Sequence, residues 1–127
     1  MRILHTMLRV GDLQRSIKFY TEALDMKLLR TTERPEQKYS LAFVGYDTED
    51  RTAVLELTYN HDGRAYDLGT AYGHIAIGVD DLDGTLGQLA DQGIEPERPP
   101  YQVVEGGSRI CFVRDPDDYR IELIERR

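Results

Sequence analysis

Residues 71–82 read AYGHIAIGVDDL, and residues 3–13 have already read ILHTMLRVGDL. The likeness is one of register. His5 and His74 lie 69 positions apart, as do Val10 and Val79, and as do Phe43 and Phe112 in FVGY and FVRD. Near the end of each half VLELTY matches RIELIE, with Glu56 and Glu122 66 positions apart. The difference falls where YDTEDRT faces the shorter RDPDDY, and both stretches are turn-rich, so a hairpin loop absorbs it. One chain carries one unit twice.

At 127 residues the halves are each about 60 residues, too small to bury a good core alone, which predicts two modules that pack together. The balance of 23 acidic against 16 basic residues gives a net charge of −7. No run of Lys or Arg offers a track for phosphates, which excludes nucleic acid as the expected partner. No apolar stretch approaches the roughly 20 residues that span a bilayer, and the N-terminus lacks a signal-peptide pattern. A soluble, cytoplasmic protein with no membrane partner is expected. The single cysteine, Cys111, sits in ICFV, so it has no disulfide partner in the chain and is expected to be buried.

Each half reads as strand, helix, then three strands. Residues 3–10 are mostly apolar, and Asp12 then caps LQRSIKFYTEAL, whose Leu13, Ile17, Tyr20 and Leu24 fall at helical spacing. In the second half Asp81 caps LDGTLGQLADQG, with Leu82, Leu86 and Leu89 on one face and Gly93 as the stop. Strands are expected near 26–32, 39–46 and 52–60, and near 97–102, 108–114 and 119–125. The class is α+β with two tandem βαβββ modules. Residues 1–127 then form one domain: module 1 (1–60), the linker HDGRAYDLGTA (61–71) and module 2 (72–127).

The repeat puts one His on the first strand and one Glu on the last strand of each module: His5, Glu56, His74 and Glu122. Strand alternation turns Leu55 and Leu57 to one side and Glu56 to the other, and Glu122 between Ile121 and Leu123 repeats the arrangement. Carboxylates on inner faces need compensating charge. No Lys or Arg occupies a matching position in both modules, whereas a divalent cation would serve. Two imidazoles and two carboxylates suit zinc, nickel, cobalt, manganese or ferrous iron. Such a site does Lewis-acid chemistry. Arg9 lies four residues after His5 and Asn60 four after Glu56. Each shares a strand face with its ligand at about 13 Å, a reach that suits an extended tripeptide. The matching positions in module 2 are Gly78 and Arg126.

The strings LHTMLRVGDLQRSIKFYTEAL, KLLRTTE, KYSLAFVGY, LELTYN, YDLGTAYGHIAI and FVRDPDDYRIELIE resemble the glyoxalase I, or lactoylglutathione lyase, family of the short bacterial type within the vicinal-oxygen-chelate superfamily. The likeness runs almost from end to end. It implies the fold of that family, a curved mixed β-sheet around a metal site. It also implies that His5, Glu56, His74 and Glu122 bind the metal, one divalent ion per site. Nickel or cobalt is favoured by the short bacterial type, and zinc by ligand chemistry alone. The implied reaction converts the hemithioacetal of methylglyoxal and glutathione into S-lactoylglutathione. The metal stabilises an enediolate while a carboxylate moves the proton, Glu122 by family assignment, with Glu56 able to share the role. Arg9 and Asn60 are implied to bind glutathione, with His74 beside the substrate. The family further implies a homodimer with sites shared between subunits, and the linker permits such an exchange.

Three alternatives use the same frame: a metal-dependent epimerase of coenzyme A thioesters, a ring-cleaving dioxygenase with two His and one carboxylate on iron, and a metal-free drug-binding protein. Asp25 and Asp118 stand where the family usually has Gly, at positions expected to be left-handed or turning. That predicts a cost in stability, not in activity.

Overall fold

A computed structural model describes residues 1–126. The first module runs β1 (His5–Arg9), α1 (Leu13–Lys18), a π-helical turn (Phe19–Ala23), β2 (Lys27–Arg34), β3 (Tyr39–Gly45) and β4 (Val54–Asn60). The second runs β5 (Ile75–Val79), α2 (Leu82–Asp91), β6 (Tyr101–Gln102), β7 (Arg109–Arg114) and β8 (Arg120–Glu125). Two compact units result, Met1–Asp67 and Leu68–Arg127, which divide inside the expected linker. Each unit has its own four-stranded mixed sheet, in the order β1-β4-β3-β2 and β5-β8-β7-β6.

Within each sheet the first strand pairs in parallel with the last, and the remaining neighbours are antiparallel. The apolar sides of both sheets are sealed. Leu8, Val10, Ile17, Tyr20, Val44, Leu55 and Leu57 are buried in the first unit, and Leu82, Leu89, Cys111, Val113, Ile121 and Leu123 in the second. Each fully buried Leu or Ile contributes about 1.5–3 kcal/mol. The Cys111 thiol donates to the Arg98 carbonyl at 3.1 Å, and burial raises its pKa, which fits a core residue.

The helix boundaries follow from their caps. Asp12 accepts from the Arg15 backbone N–H at 3.1 Å, and Asp81 accepts from the Gly84 N–H at 3.0 Å. At the end of α2, Gly93 takes φ 78°. The Gly93 N–H bonds the Ala90 carbonyl and the Ile94 N–H the Leu89 carbonyl, a Schellman stop that glycine permits.

Two elements depart from expectation. The first helix is α only to Lys18, after which Leu24 donates to the Phe19 carbonyl, a five-residue step. The wider turn accommodates adjacent aromatics, Phe19 and Tyr20, both buried and edge-to-face at 5.1 Å. The strand expected over 97–102 shrinks to Tyr101–Gln102, because Pro99 and Pro100 have no N–H to give the ladder. Asp25 and Asp118 do occupy the left-handed region, at φ 60° and 70°.

Candidate active site

Parallel pairing of first and last strands places a His beside a Glu in each unit. Glu56 lies in register between Met7 and Phe43, and Glu122 between Ala76 and Phe112. His5 opens β1, and His74 stands just before β5. His5 Nε2 is 3.5 Å from Glu56 Oε1, and His74 Nε2 is 3.1 Å from Glu122 Oε1. The imidazoles are 38% and 40% exposed and the carboxylates 17% and 15%. Each pair thus presents its ring to the outside and keeps its carboxylate partly withdrawn.

Behind each ring stands a phenylalanine. His5 meets Phe43 edge-on at 5.5 Å and His74 meets Phe112 at 5.3 Å, contacts that fix the ring planes. The Arg30 guanidinium lies 3.8 Å from the Phe43 ring centre, and Arg120 lies 4.0 Å from that of Phe112. Glu49 clamps Arg30 through Nε and Nη2 at 2.8 and 3.1 Å. Glu97 clamps Arg120 in the same fashion at 2.9 and 3.0 Å. Each clamp lowers the pKa of its carboxylic acid, chiefly through hydrogen bonding to the arginine.

The expectation about positive charge needs correction here. By the repeat, Arg30 corresponds to Pro99 and Arg120 to Val54, so no basic residue is shared by position. Yet Arg30 feels Glu56 and Arg120 feels Glu122 electrostatically. Positive charge reaches both carboxylates from unmatched positions, and the case for a cation rests instead on the paired donors. Two donors, each about 2.1 Å from one ion and at a right angle, stand about 3 Å apart. The two Nε2–Oε1 distances fit such neighbouring ligands. Among the described residues no three or more His, Cys, Asp or Glu side chains gather as a complete metal cluster; each module contributes one pair.

The carboxylates differ in what holds them. Thr58 Oγ1 donates to Glu56 Oε2 at 2.9 Å. Ile124 occupies the matching position beside Glu122. The Tyr72 hydroxyl donates to the Arg120 carbonyl at 3.0 Å, tying the segment before His74 to the last strand. Burial pushes the Tyr72 phenol up to about 12, so it remains a neutral donor.

Arg9 ends β1 exposed, on the face it shares with His5 and Met7 by alternation. Asn60 ends β4 on the Glu56 face, and its Nδ2 donates to the Tyr66 hydroxyl at 2.9 Å. In the second module the Arg126 side chain packs over Gly78, where an added Cβ would meet Arg126 Cγ at 3.2 Å. Sequence reasoning did not single out Phe43, Phe112, Arg30, Arg120 or Thr58 as parts of the site. The phenylalanines were visible only as a register mark. The hydroxyl two residues from Glu56 was available as a signal, because i and i+2 share a strand face.

Residues 2–123 match the Glyoxalase/Bleomycin resistance protein/Dioxygenase superfamily. The lactoylglutathione lyase of Salmonella typhimurium is 58% identical over 127 residues, which cover 100% of this chain and 94% of that protein. The trypanothione-dependent glyoxalase I of Leishmania major is 49% identical, with a TM-score of 0.86 over 98% of this chain and 86% of its own. Glyoxalase I from Zea mays is 45% identical, with a TM-score of 0.94; the match covers 98% of this chain but 44% of the maize chain, so this chain spans less than half of it. With a repeated His–Glu pair and likeness along its full length, the chain belongs to the lactoylglutathione lyase (glyoxalase I) family of that superfamily.

Proposed function

We propose that this chain isomerises the hemithioacetal of methylglyoxal and glutathione to S-lactoylglutathione, at a divalent metal ion held by His5, Glu56, His74 and Glu122. The observation that carries the reading is the duplicated His–Glu pair, with donors 3.5 and 3.1 Å apart at equivalent places in the two sheets. When bound, the ion supplies Lewis-acid polarisation of the substrate's adjacent oxygens. Glu122 takes the proton from the sulfur-bearing carbon and returns it to the neighbouring carbonyl carbon, while the hydroxyl proton passes between the two oxygens. The product is an isomer, with no atom or electron gained. Phe43 and Phe112 keep the two imidazoles oriented. Arg9 and Asn60 hold the far carboxylate of the tripeptide, the arginine by its planar fork.

In the proposed assembly two chains share each site, His5 and Glu56 coming from one and His74 and Glu122 from its partner. The exposed apolar side chains of Ile3, Leu4 and Met7 at the start of the chain support a covered surface there. A cytoplasmic setting fits the reaction, and no helix among the described residues is long and apolar enough to cross a membrane.

The test follows thioester formation by ultraviolet absorbance, in metal-stripped protein given nickel, cobalt or zinc in turn. Glu56→Gln and Glu122→Gln each lose orders of magnitude in activity and remain folded by circular dichroism. Full activity in both overturns the ligand set. Mixing His5→Gln with Glu122→Gln under verified subunit exchange restores about half the activity per mixed dimer, because one site carries both lesions and the other neither. No recovery places all four ligands within single chains.

A further inference from the structure

Alternation gives each last strand three positions that share a face: Glu56, Thr58 and Asn60 on β4, and Glu122, Ile124 and Arg126 on and just beyond β8. The first of the three is the same in both modules, and the next is not. In β4 Thr58 is a buried residue whose hydroxyl donates to Glu56 Oε2 at 2.9 Å, while Oε1 faces His5. Each carboxylate oxygen is therefore committed to a different direction. In β8 Glu122 Oε1 faces His74, and Ile124 has no polar atom with which to hold the other oxygen.

We propose that Thr58 is a positioning residue that locks Glu56 as a stationary metal ligand, and that Ile124 at the matching place withholds the same restraint from Glu122, the base of the reaction proposed above. This rests on the ligand set proposed above. The physical reason is rotational. A carboxylate bonded through one oxygen still turns about its last torsion, and a second bond from a buried, β-branched donor removes that freedom. Thr58 is itself restrained, since its carbonyl accepts from the Val10 N–H at 2.9 Å and Arg9 pairs with it in register. The same inequivalence gives the duplicated site a division of labour: one carboxylate serves as fixture and the other as base. Hydrogen-bond partners of metal ligands are worth about ten- to hundredfold in metal affinity or activity.

The experiment measures metal affinity of the full-length protein by competition with a chelator, using nickel and zinc, alongside kcat and KM. Thr58→Val, which keeps the side-chain shape, weakens metal affinity about ten- to hundredfold, and Thr58→Ser restores most of it. In a Glu56→Gln background Thr58→Val adds little, since the two residues act as one unit. Ile124→Thr supplies Glu122 with a donor of its own, so kcat falls about tenfold or more while metal affinity does not weaken. Wild-type affinity in Thr58→Val, or an undiminished effect of Thr58→Val in Glu56→Gln, overturns the locking role. Unchanged kcat in Ile124→Thr overturns the role given to Ile124. If Glu56→Gln alone binds metal as tightly as wild type, the ligand set falls, and this inference with it. If Glu56→Gln weakens binding and Thr58→Val does not, only the inference falls.

Discussion

The two modules reach the same His, Phe and Arg stack by different routes. In the first, the arginine comes from β2 and its carboxylate clamp, Glu49, from the loop between β3 and β4. In the second, the arginine comes from β8 and the clamp, Glu97, from the segment before β6. Along the chain the base precedes the acid in the first module, and the acid precedes the base in the second. A similar difference separates Arg9 on β1 from Arg126 just after β8, which lies over Gly78. The repeat keeps the His–Glu pair in register and leaves the supporting charges at unmatched positions. What the site requires of its surroundings is a guanidinium on the phenylalanine face, not an arginine at a particular position.

The largest effect expected from probing this contrast is at the substrate end. Arg9→Ala removes charge-assisted hydrogen bonds of about 1.5–3 kcal/mol, roughly a ten- to hundredfold loss in kcat/KM carried mostly by KM. Metal content is unchanged, and Arg9→Lys recovers little. An adduct trimmed of the matching carboxylate should not distinguish wild type from Arg9→Ala. Equal impairment on the trimmed adduct would mean that Arg9 acts on structure and not on the substrate.

A smaller effect separates the two clamps by pH. Hydrogen bonding to Arg120 and Arg114 lowers the pKa of Glu97, and Arg30 lowers that of Glu49. Both acids have folded pKa values below their unfolded values. Their stabilisation is present above the ordinary carboxylate pKa of 4.5 and is lost as pH falls through the lowered folded value. Both pairs are open to solvent, which screens them and keeps the effect small. Thermal melts from neutral pH into acid should lose part of their downward slope in Glu97→Gln. Glu49→Gln should lose less, because its carboxylate has one arginine partner and Glu97 has two. Equal slopes in wild type and Glu97→Gln would show that the clamp does not contribute to stability.

The smallest effect lies in the turns. Asp25 and Asp118 both take positive φ, where glycine has no Cβ penalty, although glycine costs entropy in the unfolded chain. Asp118→Gly and Asp25→Gly should each raise stability by about 0.5 kcal/mol and leave kcat/KM alone. The melting temperature and steady-state rates check this, and a fall in either variant would mean that the aspartate side chain compensates for its backbone.

Much of this was legible before any coordinates. Identical spacings between His5 and His74 and between Phe43 and Phe112 fixed the module register. Asp12, Asp81 and Gly93 marked helix ends because caps act locally. The five-residue step after Phe19 was not legible, since it answers to the packing of two adjacent aromatics. Nor were the arginines: a repeat analysis finds residues that keep their place, and Arg30 and Arg120 meet their phenylalanines from places that do not correspond. Thr58 was legible in part, since i and i+2 share a strand face. Its partner is two positions away on its own strand, and only a side-chain rotamer brings the hydroxyl onto Oε2.

The pairing of first with last strands also sets a timetable. β1 lies at the edge of its sheet and pairs with β4, so His5 and Glu56, 51 positions apart, meet late. At about 5–20 residues per second on the ribosome, the first strand waits roughly 3 to 10 s for its neighbour to be synthesised. Throughout that interval β1 is without its pairing strand, with a histidine at its head. The His–Glu pair of each module can therefore form only once its last strand has been made, so neither half of the duplicated arrangement precedes the completion of its own sheet.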